Sequence, residues 1–153
     1  MEITLKSGHK VLIDDEDENL LKQYHWCVHH GYAVANGVRN GKRYSIYMHR
    51  LIMNTPEGME VDHKNGNRLD NRKSNMRNCT TKENCYNRGK NRNNKTGFKC
   101  VFRTEDSKKF KARVKFNGKN INLGNYDTAS EAAKAYNDWA IKHHGEFAFL
   151  NKV

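Results

Sequence analysis

The chain has 153 residues, enough for one ordinary domain or two small ones, and its 28 Lys and Arg against 17 Asp and Glu leave a net charge of +11. Hydrophobic residues make up 36% and aromatic residues 10%, and the mean hydropathy is −1.02. These values support small cores and exclude a membrane-spanning protein. Residues 1–48 are neutral, 49–95 carry +6 and 96–153 carry +5, so the acidic partner that such a charge implies concerns the chain beyond residue 48. MEITLKSGHK lacks the apolar stretch of a signal peptide, and a reducing cytoplasm is expected. Cys27, Cys79, Cys85 and Cys100 contain no C-x-x-C pair; they read as buried, inert thiols rather than as zinc ligands or a nucleophile.

Residues 2–13 predict two short strands around Ser7-Gly8, and DDEDENLLKQY predicts a short helix with its carboxylates at the positive end of the helix dipole. A calcium loop is disfavoured there because no glycine stands six positions in from Asp14. GYAVANGVRNGKRYSIYMHRLI reads as strand, turn, strand, with Asn36-Gly37 and Asn40-Gly41 as turn signals and His49 borne on a strand. After Pro56, the only proline, a short strand runs through Met59-Glu60-Val61 and ends at Asp62-His63. Thr80-x-x-Glu83 is a capping box that predicts a short helix carrying Asn84 and Asn87 on one face. Residues 72–95 hold eight basic residues and one acidic residue, and RGKNRNNK (88–95) reads as a linker laid on an anionic surface.

In KFKARVKF (109–116), Lys109, Lys111, Arg113 and Lys115 alternate with Phe110, Ala112, Val114 and Phe116, the period of two of a half-buried strand. Asn117-Gly118 predicts a hairpin turn into Lys119–Gly124, whose Ile121 and Leu123 continue the apolar face while Asn120 and Asn122 share the cationic one. Thr128-x-x-Glu131 is a second capping box, followed by Ala129, Ala132, Ala133, Tyr136, Ala140 and His143 at helical spacing and a stop at Gly145. Three antiparallel strands backed by one helix result. Cations on one strand face repeat at about 6.6–7 Å, close to successive phosphates, and asparagine suits adenine edges in the major groove.

TGFKCVFR, KFKARVKF and INLGNYDTASEAAKAYNDWAIKHHG resemble the DNA-binding domain of plant ethylene-response factors, the APETALA type that also accompanies phage and bacterial endonucleases. The resemblance covers roughly 96–153 and implies a sheet in the major groove with contacts at Lys99, Arg113, Lys115, Asn120 and Asn122. Asn122 stands where the plant domains usually have Trp, and Phe102 where they have Arg, so their target sequence does not transfer.

In the central segment, Asp and Asn oxygens suit a hard divalent cation, and a neutral His suits proton removal from water near pH 7, the two functions that phosphodiester cleavage needs. Arg and Lys around them would hold the scissile strand. MHRLIMNTPEGMEVDHKNGNRLDNRKSNMRNCTTKENCYN closely resembles the HNH endonuclease motif in the version found in phage and intron-encoded homing endonucleases, which implies a ββα-metal fold. The resemblance makes His63 the general base, Asp62 a metal ligand and Asn75 the middle asparagine that orients His63 through the loop backbone. The second metal ligand is Asn84, with Asn87 as its rival, and oxygen ligation implies Mg2+ or Mn2+. His49 and Arg50 are candidates to meet the scissile phosphate, with a structural role the alternative for His49; Arg72, Arg77 and Arg88 join Lys111 as further candidate DNA contacts.

The expected fold class is α+β, with an HNH nuclease domain over 1–88 (scaffold 1–47, core 48–88), a basic linker over 89–95 and a DNA-binding domain over 96–153. The expected activity is metal-dependent hydrolysis of double-stranded DNA by a monomer or weak dimer in a host cytoplasm, with no membrane or evident protein partner. A non-enzymatic DNA-binding regulator on an HNH scaffold and a structure-selective or RNA-directed nuclease are the competing readings.

Overall fold

The computed structural model describes residues 1–105 and 108–153. Its first unit, Met1–Cys85, begins with the antiparallel pair β1 (Glu2–Thr4) and β2 (Lys10–Leu12), joined through Gly8 at φ 80°. A 3-10 turn at Asp15–Asp17 runs into α1 (Glu18–Leu21). The acidic residues here do more than suit a helix dipole. Asp14 accepts the backbone N–H of Lys73 at 2.7 Å, while the Lys73 ammonium pairs with Glu16 and, at 3.0 Å, with Asp17. Sequence-distant charges thus tie the first 20 residues to the segment that follows Asp70.

β3 (Trp26–His29), β4 (Tyr32–Arg39) and β5 (Lys42–Tyr47) form one antiparallel sheet in that order. Asn40 and Gly41 make the expected turn with φ of 51° and 71°, but Asn36-Gly37 does not turn at all. Gly37 lies within β4 opposite Tyr44, and a Cβ there would come within 2.4 Å of the tyrosine ring. Glycine at that position serves close approach across the strands rather than a positive φ. β5 also ends earlier than the alternation suggests: Met48–Ile52 is a helix, α2, whose Met48 and Ile52 are buried one turn apart. His49 is therefore borne on a helix, not on a strand.

β6 (Glu60–His63) pairs antiparallel with β7 (Met76–Cys79), and α3 (Thr81–Tyr86) follows. The expected capping box starts α3: Glu83 accepts the Thr80 N–H at 2.8 Å and donates its own N–H to the Thr80 hydroxyl at 3.2 Å, an arrangement worth about 1 kcal/mol. α3 stops at Tyr86, one residue short of Asn87. One core gathers Val11, Ile13, Leu21, Ala33, Met48, Ile52, Val61 and Met76, so the N-terminal strands and β6–β7 share a single apolar interior.

The second unit is Tyr86–Val153. β8 (Val101–Arg103), β9 (Phe110–Phe116) and β10 (Lys119–Tyr126) make an antiparallel sheet with β9 central. Ala112 and Val114 are buried, whereas Arg113 and Lys115 face out, as alternation predicts. α4 (Ala129–His144) carries the predicted Thr128–Glu131 capping box and ends at Gly145 with φ 54°. Its buried face is Ala132, Ala133, Tyr136 and Ala140; small side chains let the helix lie close on the sheet. His143 is exposed, stacked on Trp139, so it does not belong to that face. Tyr86 stacks on His144 at 3.8 Å and Gly89 sits against Phe149, so the start of the basic segment packs on this unit. Only Cys79 of the four thiols is buried; Cys27 and Cys85 are exposed, contrary to the expectation of four buried thiols.

The register of β10 shifts between Asn122 and Gly124, a bulge that requires Gly124 at φ 131°; a Cβ there would meet the Tyr126 hydroxyl at 2.8 Å. Gly124→Ala is therefore expected to destabilise the second unit by about 1–3 kcal/mol. Hydrogen exchange should show β9 and β10 amides losing protection while β6 and β7 amides keep theirs; equal protection in both proteins would contradict the strain.

Candidate active site

His63 ends β6 and is only 6% exposed. Its Nε2–H donates to Oδ1 of Asn71 at 2.9 Å, and Asn71 itself is fully buried. An imidazole protonated at Nε2 carries its lone pair on Nδ1. Burial lowers the His63 pKa below the usual histidine value and outweighs the opposing effects of Asn71, Asp62 and Asp70. The ring is thus neutral at pH 7 and able to accept a proton. His49, 7% exposed on α2, stands edge-on to it with ring centroids 5.3 Å apart, and Tyr32 packs on His49 at 4.9 Å.

The loop between β6 and β7 is held by its own amides. Asn75 accepts the Asn65 N–H at 3.1 Å and donates to the Asp70 carbonyl at 2.9 Å, spanning the loop. Asn65 in turn donates to the Asp70 carboxylate at 2.9 Å. From outside, Leu12 of β2 donates to the Leu69 carbonyl at 2.9 Å and accepts the Asn71 N–H at 2.8 Å. Asn75 therefore acts on the loop, while Asn71 is the residue that touches His63. Asp70 is buried with Arg72 on both of its oxygens at 2.7 Å, and that pairing holds its carboxyl below the usual carboxylate range.

Neighbours on a strand leave from opposite faces, so Asp62 has different company from His63. Asp62 is 3% exposed and opposite Arg77, whose Nε and Nη2 both donate to Oδ2 at 2.9 and 2.7 Å. Two residues earlier, Glu60 accepts from Nδ2 of Asn84 at 2.5 Å and from the Thr81 hydroxyl at 2.9 Å. A carboxylate at pH 7 only accepts, so it fixes which end of the Asn84 amide faces it: the NH2 points to Glu60 and Oδ1 points away. Glu60 and Asp62 thus share one side of β6, about 7 Å apart along the strand, and Asn84 of α3 lies beside Glu60. Among the described residues no three His, Cys, Asp or Glu side chains cluster as a cation cage, so any ion held here relies on amide oxygen and water beside Asp62.

Residues 47–86 match the family model described as HNH endonuclease, a stretch that contains His49, Asp62, His63, Asn75 and Asn84 and stops before Asn87. Over 141 residues the chain is 31% identical to a protein of Acanthamoeba polyphaga mimivirus named "Uncharacterized HNH endonuclease L560", covering 88% of this chain and 70% of the viral protein. The chain belongs to the HNH endonuclease family. Family membership brings nuclease activity with DNA as substrate, and HNH nucleases generally use divalent metals. No solved structure matches the chain, and no helix of the described residues is long and apolar enough to cross a membrane.

Within this HNH chain, several cations expected to face DNA have protein partners. Arg77 and Arg72 hold Asp62 and Asp70, and Arg50 donates to the Met59 carbonyl at 2.8 Å. Lys99 donates to the Tyr86 carbonyl at 2.6 Å and lies over Phe149, away from the cationic row of β9. Arg88 is exposed, as are Arg113, Lys115, Asn120 and Asn122, and Lys111 is half-buried on the same sheet face. Asn71, Glu60 and Tyr32 escaped the reading of the HNH sequence. Asn71 closes the N-G-N-x-L-D-N stretch after Leu69, and Glu60 two residues before Asp62 on a strand was the available signal for a shared face.

Burial, with His63 and Arg50 as lesser contributors, lowers the His49 pKa to about 3. Its Nδ1 has no hydrogen-bond partner among the described residues. The native pKa lies below the unfolded value, so this contribution is fully present above pH 6.5 and is lost as pH falls toward 3, at about 1.4 kcal/mol per pH unit. His49→Phe should make the fall in unfolding free energy between pH 6.5 and 4 shallower than in the wild type, as read by urea titrations. Equal slopes would show that His49 is not held neutral in the native state.

Proposed function

We propose that the chain is a divalent-metal-dependent, homing-type endonuclease that hydrolyses phosphodiester bonds in double-stranded DNA. The observation that carries this reading is His63, buried, neutral and fixed through Nε2 to Asn71 next to Asp62. His63 Nδ1 takes the proton from the attacking water, and Asn71 holds the ring in the tautomer that makes this possible. Asn75 keeps the loop that presents Asn71 in place. Glu60 turns the Asn84 oxygen outward, and Asp62, anchored by Arg77, stands on the same strand side. This oxygen-donor set fits Mg2+ or Mn2+, with Asp62 and Asn84 as the protein ligands of a ββα-metal core formed by β6, β7 and α3. The chemistry such an ion supplies when bound is stabilisation of the leaving 3′-oxygen. Asn84 is preferred to Asn87 because it lies on α3 and within the family match, whereas Asn87 follows both.

In this reading residues 1–88 are the nuclease domain and 89–95 a basic linker. Residues 96–153 form an ethylene-response-factor-type DNA-binding domain whose Lys111, Arg113, Lys115, Asn120 and Asn122 place the enzyme on its duplex. His49 packs against the base and closes the site beside it, and Arg88 is a phosphate contact.

With enzyme in excess over supercoiled plasmid, the wild type should nick or linearise DNA with Mg2+ and stop with EDTA. His63→Ala should slow the reaction by about 100-fold or more; a variant as active as the wild type removes His63 from the chemistry. A separate measurement needs no turnover. Mn2+ binding followed by electron paramagnetic resonance should weaken about 10-fold or more in Asn84→Ala and in Glu60→Ala. Asn87→Ala should bind as the wild type does, and a reversed pattern would transfer the ligand role to Asn87.

A further inference from the structure

The outward face of the second unit's sheet carries a side chain that alternation and charge do not explain. Phe102 of β8 is 44% exposed and stands opposite Lys111, on the face that also presents Arg113 and Lys115. Asn122 and Asn120 of β10 lie opposite Arg113 and Lys115. Phe102 is the one apolar side chain among these six. The Arg113 guanidinium lies 5.2 Å from the centre of the phenylalanine ring. The buried side of the same sheet already has its apolar partners in α4, so Phe102 is not needed by the core.

The two side chains have complementary uses on DNA. A guanidinium reads guanine O6 and N7 through two parallel N–H donors, and an aromatic ring in the major groove packs on the C5-methyl of thymine. Neighbouring base pairs are stacked about 3.4 Å apart, a separation that a ring and a guanidinium in contact bridge side by side. The cation–π contact also holds the Arg113 fork before binding, so less side-chain freedom is lost when it meets a base. Lysines, by contrast, act as point charges on flexible stems, which suits Lys111 and Lys115 to phosphates on either side.

We infer that Phe102 and Arg113 form the base-reading pair of this sheet and select a thymine next to a guanine, the ring on the thymine methyl and the guanidinium on the guanine edge. This inference rests on the reading of the second unit as a DNA-binding domain. It gives the position a different chemistry from the arginine that the plant domains usually carry there, and it explains why their target does not transfer.

The test uses the full-length protein in EDTA and a pool of duplexes with a randomised 20-base-pair centre, from which tight binders are selected. The enriched duplexes should share adjacent thymine and guanine. Remaking one with uracil for that thymine removes a single methyl group and should weaken wild-type binding about 4-fold, the worth of one buried methyl. Replacing the neighbouring guanine by 7-deazaguanine should weaken it about 5-fold or more. Phe102→Ala should lose the response to uracil and keep the response to 7-deazaguanine, and Phe102→Leu should keep part of the first. An enriched site without adjacent thymine and guanine, or a wild type indifferent to uracil, overturns the base-reading pair. Arg113→Ala with Lys115→Ala separates the two levels: unchanged affinity for every duplex removes the DNA-binding reading itself, whereas lost affinity with no methyl effect removes only the inference drawn from Phe102.

Discussion

The hydrogen bond from His63 to Asn71 is the interaction on which the rest of the first unit depends. A buried imidazole and a fully buried carboxamide are each costly to place without partners, and the loop from Lys64 to Asn75 that brings them together is tied across itself by several amides. Asn75 ties Asn65 to Asp70, Asn65 ties back to Asp70, and Arg72 neutralises the carboxylate at the centre. β2 then grips the same loop from outside through Leu12. This is the physical role of the N-terminal scaffold: Leu12, Asp14, Glu16 and Asp17 all bond to residues 69–73. A chain starting at the family match would lack those contacts, and Asn71 would have no fixed position from which to hold His63.

Strand alternation divides the site's labour. Consecutive residues on β6 leave from opposite faces, so His63 enters the aromatic environment of His49 and Tyr32, and Asp62 enters the polar one of Arg77 and the Glu60–Asn84 pair. The apolar side lowers the basicity of His63 enough to keep it neutral. On the polar side, Arg77 donates twice to one oxygen of the buried Asp62 carboxylate. A carboxylate beside a histidine raises the proton affinity of the ring; Asp62 does act on His63 in that direction, and burial prevails.

What was legible in the sequence followed local rules. Both capping boxes, the Asn40-Gly41 turn and the alternation of β9 are decided within a few residues, and the structure has each of them. What was not legible depended on partners distant in sequence. Asn36-Gly37 has the composition of a turn, but pairing with Tyr44 keeps it extended. His49 is helical, and Met48, His49 and Ile52 are all buried, whereas a strand would send the neighbours Met48 and His49 to opposite faces. In the candidate site, Asp62, His63 and Asn75 came from a recognisable motif, whereas the pairing of Asn71 with His63 and of Glu60 with Asn84 forms only once the loop closes and α3 packs beside β6.

Net charge alone overstates how much of this chain faces phosphate. The +6 of residues 49–95 includes Arg50, Lys64, Arg68, Arg72, Lys73 and Arg77, every one of which donates to a carbonyl or a carboxylate of the protein. These cations organise the site, and the acidic residues they pair with lie partly in the neutral first 48. Beyond residue 95 the balance differs: Arg113 and Lys115 are exposed on a sheet face shared with asparagines rather than with carboxylates. Counterion release follows the cations that reach phosphate, not the formal total. The two segments therefore carry similar charge in different settings: in the central one it is bound to protein carbonyls and carboxylates around the loop that holds His63, and in the C-terminal one Arg113 and Lys115 stay exposed.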